Sequence, residues 1–482
     1  MIVASTALAI WPIISVCLFK FLGGRRGLIY SVMIGFLFLP PNYFLFLPVV
    51  PKYGSGTAIA AGLALSYLFF RNNWHAELGD TTRRSHLLGG LMIVLVVLYF
   101  INPFLVFLTN REGLSFGPKI IQGLGLSDVL KMIWNAAATI IPFLLGWRLL
   151  AREEDHRLLL RVLVILMFGY SLLALFEVRM SPQLNQWVYG YFPHDWLQHL
   201  RGGSFRPVVF LGHGLVLGFH LFWATLACAI LVRGTDSIGR MTYLAGVLWF
   251  VMVLLFSKNL GSVLLAVLFL PTVFLLGSGM QIRVAAIIAV LFLSYPIVRS
   301  ANLLPIDSFT SIVRSISPDR TRSFETRLRN EQLLLERAQQ KPLAGWGGYA
   351  RSRIHNEAGS DISLVDGAWI GRLGTRGWSG YVSFFGMFTL PMVWLLILRR
   401  RKPVPTVTSG LALMVGAILI ELVPNATLSS VGLVAAGALT GFVLKESTTR
   451  NEKEAPDGQG ADRQVLLRSG PRYTRFDGVG TK

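Results

Sequence analysis

Apolar runs of about 18 residues or more, the length an α-helix needs to cross a bilayer, recur along this chain. They are read at 2–19, 27–48, 55–70, 87–108, 128–147, 158–178, 207–232, 241–257, 259–277, 284–300, 378–398, 406–423 and 427–444. A soluble fold would have to bury nearly all of these helices on every side. Only 15% of the residues are charged, too few to clothe so many helices in water. The expected fold class is all-α: a polytopic membrane protein with about 12–13 transmembrane helices and one large helical extracytoplasmic loop.

The net charge of +20 would suggest nucleic-acid binding in a soluble protein. Here the basic residues collect in alternate connections: KFLGGRR (20–26), 71–86, 148–161, 233–240, Arg283 and RRRK (399–402). By the positive-inside rule these face the cytoplasm, and no nucleic-acid partner is expected. The N-terminus then lies outside. If the first run is only interfacial, twelve spans remain and the N-terminus lies inside. The chain divides into N-terminal spans with a short outer loop at about 179–206 (residues 1–206), central spans (207–300), a large outer loop with an amphipathic helix (301–377), C-terminal spans (378–445) and a disordered cytoplasmic tail (446–482). Cys17 and Cys228 sit inside apolar runs without metal or redox spacing, so both are read as packing residues. No internal repeat of the kind that builds many transporters is evident.

The outer loops hold the candidate chemistry. Ser323 can cap a helix running to about Gln340, with Arg327 and Glu331 four residues apart on it. GWGG (345–348) is not a P-loop, but its glycines let backbone approach a ligand closely. Arg206, His213 and His220 recur every seven residues, which on a helix places them on one face. Arg206 needs an anion, and Glu177 is a possible static partner. His220 reads as a neutral, hydrogen-bonded bundle residue, and Lys258 as a snorkelling one. The outward cations Arg206, Arg327, Arg351, Arg353, Arg372 and Arg376 suit a phosphate or diphosphate, with His213 and Trp346 beside it. No DxD pair or His/Cys cluster stands out in these loops, so neither metal nor cofactor is expected. Trp187, Tyr189, Trp196, Trp346, Tyr349 and Trp369 fit an interfacial belt better than sugar-stacking platforms.

The order of EVRMSPQLNQWVYG, FRPVVFLGHG, SKNLGSVLLAVL, RLRNEQLLLERAQQKPLAGWG, DGAWIGRLGTRGWSGYVSFF and LVPNATLSSVGLVAAGALTG resembles the O-antigen ligase and Wzy-type polysaccharide polymerase superfamily over about residues 30–445. The resemblance implies a metal-independent membrane glycosyltransferase of the GT-C type in a bacterial inner membrane, with its active site facing the periplasm. Its donor would be an undecaprenyl-diphosphate-linked glycan and its acceptor a glycan or lipid; a chain-length regulator is an implied protein partner. Arg206 and Arg327 match diphosphate-holding arginines of the family. Ligases carry a His-Asn pair just before the helix that follows the large loop. Here that position reads Asp366–Gly367, which shifts the expectation toward a polymerase. Asp366 is the candidate acceptor-contacting residue, with His355 as backup base. A ligase, and in another class a flippase for the lipid-linked sugar, are the alternatives.

Overall fold

The computed structural model describes residues 1–46, 52–78, 86–201, 203–235, 237–303, 318–348 and 350–454. It is an all-α polytopic membrane fold. Among the described residues, eight helices are long and apolar enough to cross a bilayer, and two shorter apolar helices accompany them. Each apolar run read from the sequence overlaps a helix, but the run read at 27–48 leaves its helix after Phe38, and that read at 207–232 enters its helix only at Gly214.

The first two runs share one helical segment, α1 (Ile2–Phe38), broken at Gly23, whose φ of 78° favours glycine. Ser15 bonds Ser31 at 2.7 Å, Phe19 lies against Gly27, and Trp11 lies against Gly35. Every pair is equidistant from Gly23, so the two halves fold back on each other as a hairpin. The following helices are α2 (Ser55–Leu78), α3 (His86–Leu108), α4 (Leu126–Leu149), α5 (Glu153–Met180) and the short α6 (Leu184–Tyr189). Next come α7 (Gly214–Arg233), α8 (Ser237–Phe256), α9 (Leu260–Leu275) and α10 (Ser278–Ser300). The loop helix α11 (Pro318–Gln339) precedes α12 (Ala368–Leu398), α13 (Thr406–Glu421) and α14 (Ser430–Glu454). A two-stranded hairpin, β1 (Leu114–Phe116) and β2 (Lys119–Ile121), joins α3 to α4.

Helix α7 is apolar all round and buried from Leu217 to Val232, as expected of a helix at the centre of a bundle. Gly437 and Gly441 bring α14 onto the backbone of α4. A Cβ at either would lie 2.1 Å from the Phe143 carbonyl oxygen or 2.3 Å from that of Trp147. Small residues four apart permit this close packing.

The basic connections gather at one end of the bundle. Arg25 pairs with Asp155 (3.4 Å), Arg157 donates to the Gly234 carbonyl, and Arg233 donates to Val273 and Leu276. Arg399 donates to Gly279, and Lys402 pairs with Glu446 (3.3 Å). The alternate connections meet at the other end. There Tyr191 bonds Pro41, Asn42 bonds Pro193, and Asn110 bonds Gly345.

Several sequence boundaries shift. Ser323 lies inside α11 rather than capping it, because the helix already starts at Pro318, whose fixed φ suits a first turn. Helix α7 starts at Gly214, so Arg206 precedes it and shares no helix face with His213 or His220. The tail remains helical as far as Glu454 in α14, and 455–482 lie outside the described residues.

Among the described residues, the large loop docks on α10 and on α12. Glu331 accepts from Arg299 (2.9 Å) and Tyr295 (3.1 Å), which ties α11 to α10 instead of forming the expected intrahelical pair with Arg327. Burial raises the Glu331 carboxyl pKa, and these two donors oppose that shift. The GWGG turn docks on α12 where that helix breaks at Gly377 (φ 61°). Trp346 and Gly347 donate to the carbonyls of Gly374 and Thr375, while Trp378 donates to Pro342 and Ser379 to Leu343. A break in a membrane helix frees backbone groups that must find partners, and this loop supplies them. A Cβ at Gly345 would lie 2.5 Å from the Arg376 nitrogen. Gly345 therefore admits the chain's own helix.

Candidate functional site

At the end opposite the basic connections, a cavity of about 790 Å³ opens between α7, the α8–α9 turn, the end of α13 and the loop helix α11. Its polar lining is Arg206, Lys258, Asn259, Arg327, Glu421 and Asn425, and much of the remaining wall is leucine, isoleucine and valine. The arginines at 206 and 327 are distant in sequence and face one hollow. Three cations against one carboxylate, with an apolar flank, have the chemistry that suits an anionic group with an apolar chain.

Each cation is positioned by local structure. Glu177 is buried and accepts from the backbone N–H groups of Leu184 (3.0 Å), Val208 (2.8 Å) and Val209 (2.7 Å). It fixes the chain just past Arg206 and spends its oxygens there rather than on the guanidinium. Gly214 leaves room for the Arg206 side chain: a Cβ there would lie 2.4 Å from the arginine Cδ. Lys258 does not simply snorkel. It sits in the α8–α9 turn with φ at 53°, an uncommon value for a side chain-bearing residue. Asn259 starts α9, donates to the Leu215 carbonyl (3.2 Å) and packs over Gly218. A Cβ at Gly218 would lie 2.1 Å from the Asn259 amide nitrogen, so the glycine sets how closely the Lys258 turn approaches α7.

Arg327 pairs with Asp366 at 3.3 Å, both side chains being nearly half exposed. Such a pair contributes about 0–1 kcal/mol, so Arg327 can turn toward a ligand at little cost. Asp366 stands at the cavity mouth rather than on its wall. Its neighbour Gly367 packs on the Val423 carbonyl, and Ala368 donates to Leu422 and Asn425.

Glu421 was not among the sequence candidates. It lines the cavity, is 6% exposed, and accepts from the Asn425 amide at 2.9 Å. The signal was present as the one acid in LALMVGAILIELVPN, since an ionisable residue in an apolar span is a functional candidate by default.

The other candidates lie elsewhere. Arg351 is fully buried, donates to the Gln122 carbonyl (2.9 Å) and lies 3.7 Å from Glu112, so it pins the loop to the α3–α4 connection. Arg353 pairs locally with Asp361 (3.9 Å). Trp346 is buried beneath the Arg337 guanidinium (3.4 Å), which covers its face. Trp369 is buried against Tyr295, and Tyr189 is buried with its hydroxyl donating to Phe38. Trp187 and Trp196 are exposed, and Tyr349 lies outside the described residues. His355 stacks on Phe116 (4.3 Å) of the β-hairpin. Burial lowers its pKa, and the nearby Lys119 charge adds to the shift. His355 does not line the cavity.

Arg372 and Arg376 face α3. The first lies over Phe384 (3.9 Å) and 3.5 Å from the Tyr99 hydroxyl, and the second donates to Asn102 (3.4 Å). Neither lines the cavity. His220 bonds Val216 and Ser429 inside the bundle, as read from the sequence. His213 caps α7, its Nδ1 accepting the Leu215 N–H at 3.0 Å. The sequence reading also found no histidine cluster in the outer loops, and the fold corrects this. His194, His199 and His213, five and fourteen residues apart in sequence, converge where the 179–206 loop meets the start of α7. No model of a known protein family matches the chain, and no curated protein matches it.

Proposed function

We propose that this protein is a membrane glycosyltransferase that joins polyprenyl-diphosphate-linked oligosaccharide repeat units into a polysaccharide at the extracytoplasmic face of a bacterial inner membrane. One observation carries the reading: Arg206, Lys258 and Arg327 line a single cavity at the end opposite the basic connections, beside a leucine-rich flank. Positive connections favour the cytoplasm, which supports an outward-facing cavity.

The reaction needs little beyond positioned charge. The acceptor hydroxyl oxygen bonds to the anomeric carbon, the bond from that carbon to the diphosphate oxygen breaks, and its electron pair leaves on the diphosphate. Guanidinium and ammonium groups stabilise the charge that develops there. The hydroxyl proton passes to a carboxylate. Glu421 is better placed for this than Asp366, because it lines the cavity with the three cations, whereas Asp366, paired with Arg327, does not line it. The leucines at 255, 260 and 265 offer the apolar surface that a polyprenyl chain needs. Asp366–Gly367, in place of the His-Asn pair of ligases, favours the polymerase reading.

The test is reconstitution of the purified protein with a polyprenyl-diphosphate-linked repeat unit as sole substrate. Longer glycans on the carrier are expected. Reaction only after lipid A-core is added would make the protein a ligase, and translocation without bond formation would make it a flippase.

A further inference from the structure

The short outer loop carries a site that the proposed reaction does not use. His194 and His199 come from the turn and the 3₁₀ segment after α6, and His213 from the start of α7. One ring nitrogen of each lies within 4.8 Å of the other two. The rings meet edge to face or tilted, with centroids 4.6 Å apart for His194–His213, 5.4 Å for His199–His213 and 5.7 Å for His194–His199. His199 is fully buried.

We infer that these three histidines form a binding site for a divalent transition-metal ion of the zinc class. Imidazole is a preferred ligand for such ions, and three histidines leave a fourth tetrahedral position for water. Zinc–nitrogen bonds of about 2.0–2.1 Å place tetrahedral ligands about 3.3–3.4 Å apart. The rings therefore close on the ion by at most about 1.5 Å, within reach of side-chain rotation. His213 gives up its cap when it binds. Whether Nδ1 ligates directly or takes the proton that leaves Nε2 free to ligate, the Leu215 N–H loses its acceptor.

The expected consequence is positional. The His199 carbonyl accepts the backbone N–H of Arg206 (2.8 Å), and Gly214, beside His213, is the floor under the Arg206 side chain. An ion shared by His194, His199 and His213 ties the two chain segments that hold this arginine. It takes no part in the proposed glycosyl transfer, so the inference stands apart from that reading.

Full-length protein purified in detergent and stripped with a chelator is titrated with zinc chloride by calorimetry, and with cobalt(II) while the visible spectrum is recorded. One equivalent of zinc is expected, with a rise in Tm and the intense d–d bands of a tetrahedral cobalt centre. His194→Ala and His199→Asn should each remove that equivalent and those bands while elution volume and helical circular dichroism stay unchanged. No stoichiometric binding, or binding that both variants retain, would show an adventitious ion only and overturn the site. The variants report on the metal whether or not any glycan is made.

Discussion

Arg206→Ala is expected to lower turnover by about 10²–10³-fold with the protein still inserted and folded, the usual loss when one preorganised group that stabilises developing charge is removed. The side chain is only 8% exposed and lines the cavity over Gly214. Arg206→Lys should recover part of the rate. A lysine keeps the charge but loses the planar fork that holds two phosphate oxygens together. Arg327→Ala should give a similar loss, and the two losses should not add, because both groups act on one diphosphate. Rates of the single and double variants on reconstituted vesicles check this. Full additivity would mean that the arginines serve separate ligands.

Glu421→Gln is expected to lower kcat by about 10²–10⁴-fold, the range for removal of a positioned general base, with KM for the lipid-linked donor little changed. Glutamine keeps the shape and the hydrogen-bonding partner Asn425, so a folding defect is not expected. Asp366→Asn should cost less and act mainly on KM, because it frees Arg327 from a half-exposed partner without touching the cavity wall. Steady-state kinetics of both variants separate the roles. If Asp366→Asn is dead and Glu421→Gln is active, the two carboxylates exchange places in the mechanism.

The architecture was largely legible because bilayer length and apolar composition constrain it so strongly. The hydrophobic runs and the alternation of basic connections located the helices and the two ends of the bundle. Arg206 was legible because an arginine at the border of a span needs an anion, and Arg327 because it stands among the cations of the long loop's amphipathic helix. Glu421 was overlooked since its neighbours look like ordinary span, and a single acid there gives no spacing pattern. Arg351, Trp346 and His355 misled for a different reason. A long outer loop needs anchors of its own, and cations or aromatics that pin a loop have the same composition as those that hold a ligand. Gly345 and Gly377 illustrate the limit best. Their positive φ values could be anticipated, but that each serves the other's backbone depends on a contact between the loop and a break in α12 that no local pattern encodes. The histidine cluster was likewise invisible, because His194 and His199 meet His213 only after the chain has turned at Arg206.

Photo-crosslinking with a diazirine-bearing polyprenyl diphosphate, read by peptide mass spectrometry, tests the central claim most directly. Labelling should concentrate on the α8–α9 turn from 255 to 265 and on the end of α13 from 420 to 425. It should fall sharply in the Arg206→Ala/Arg327→Ala double variant. Labelling centred instead on α3 and the Arg372–Arg376 stretch of α12, unaffected by that double variant, would contradict the account.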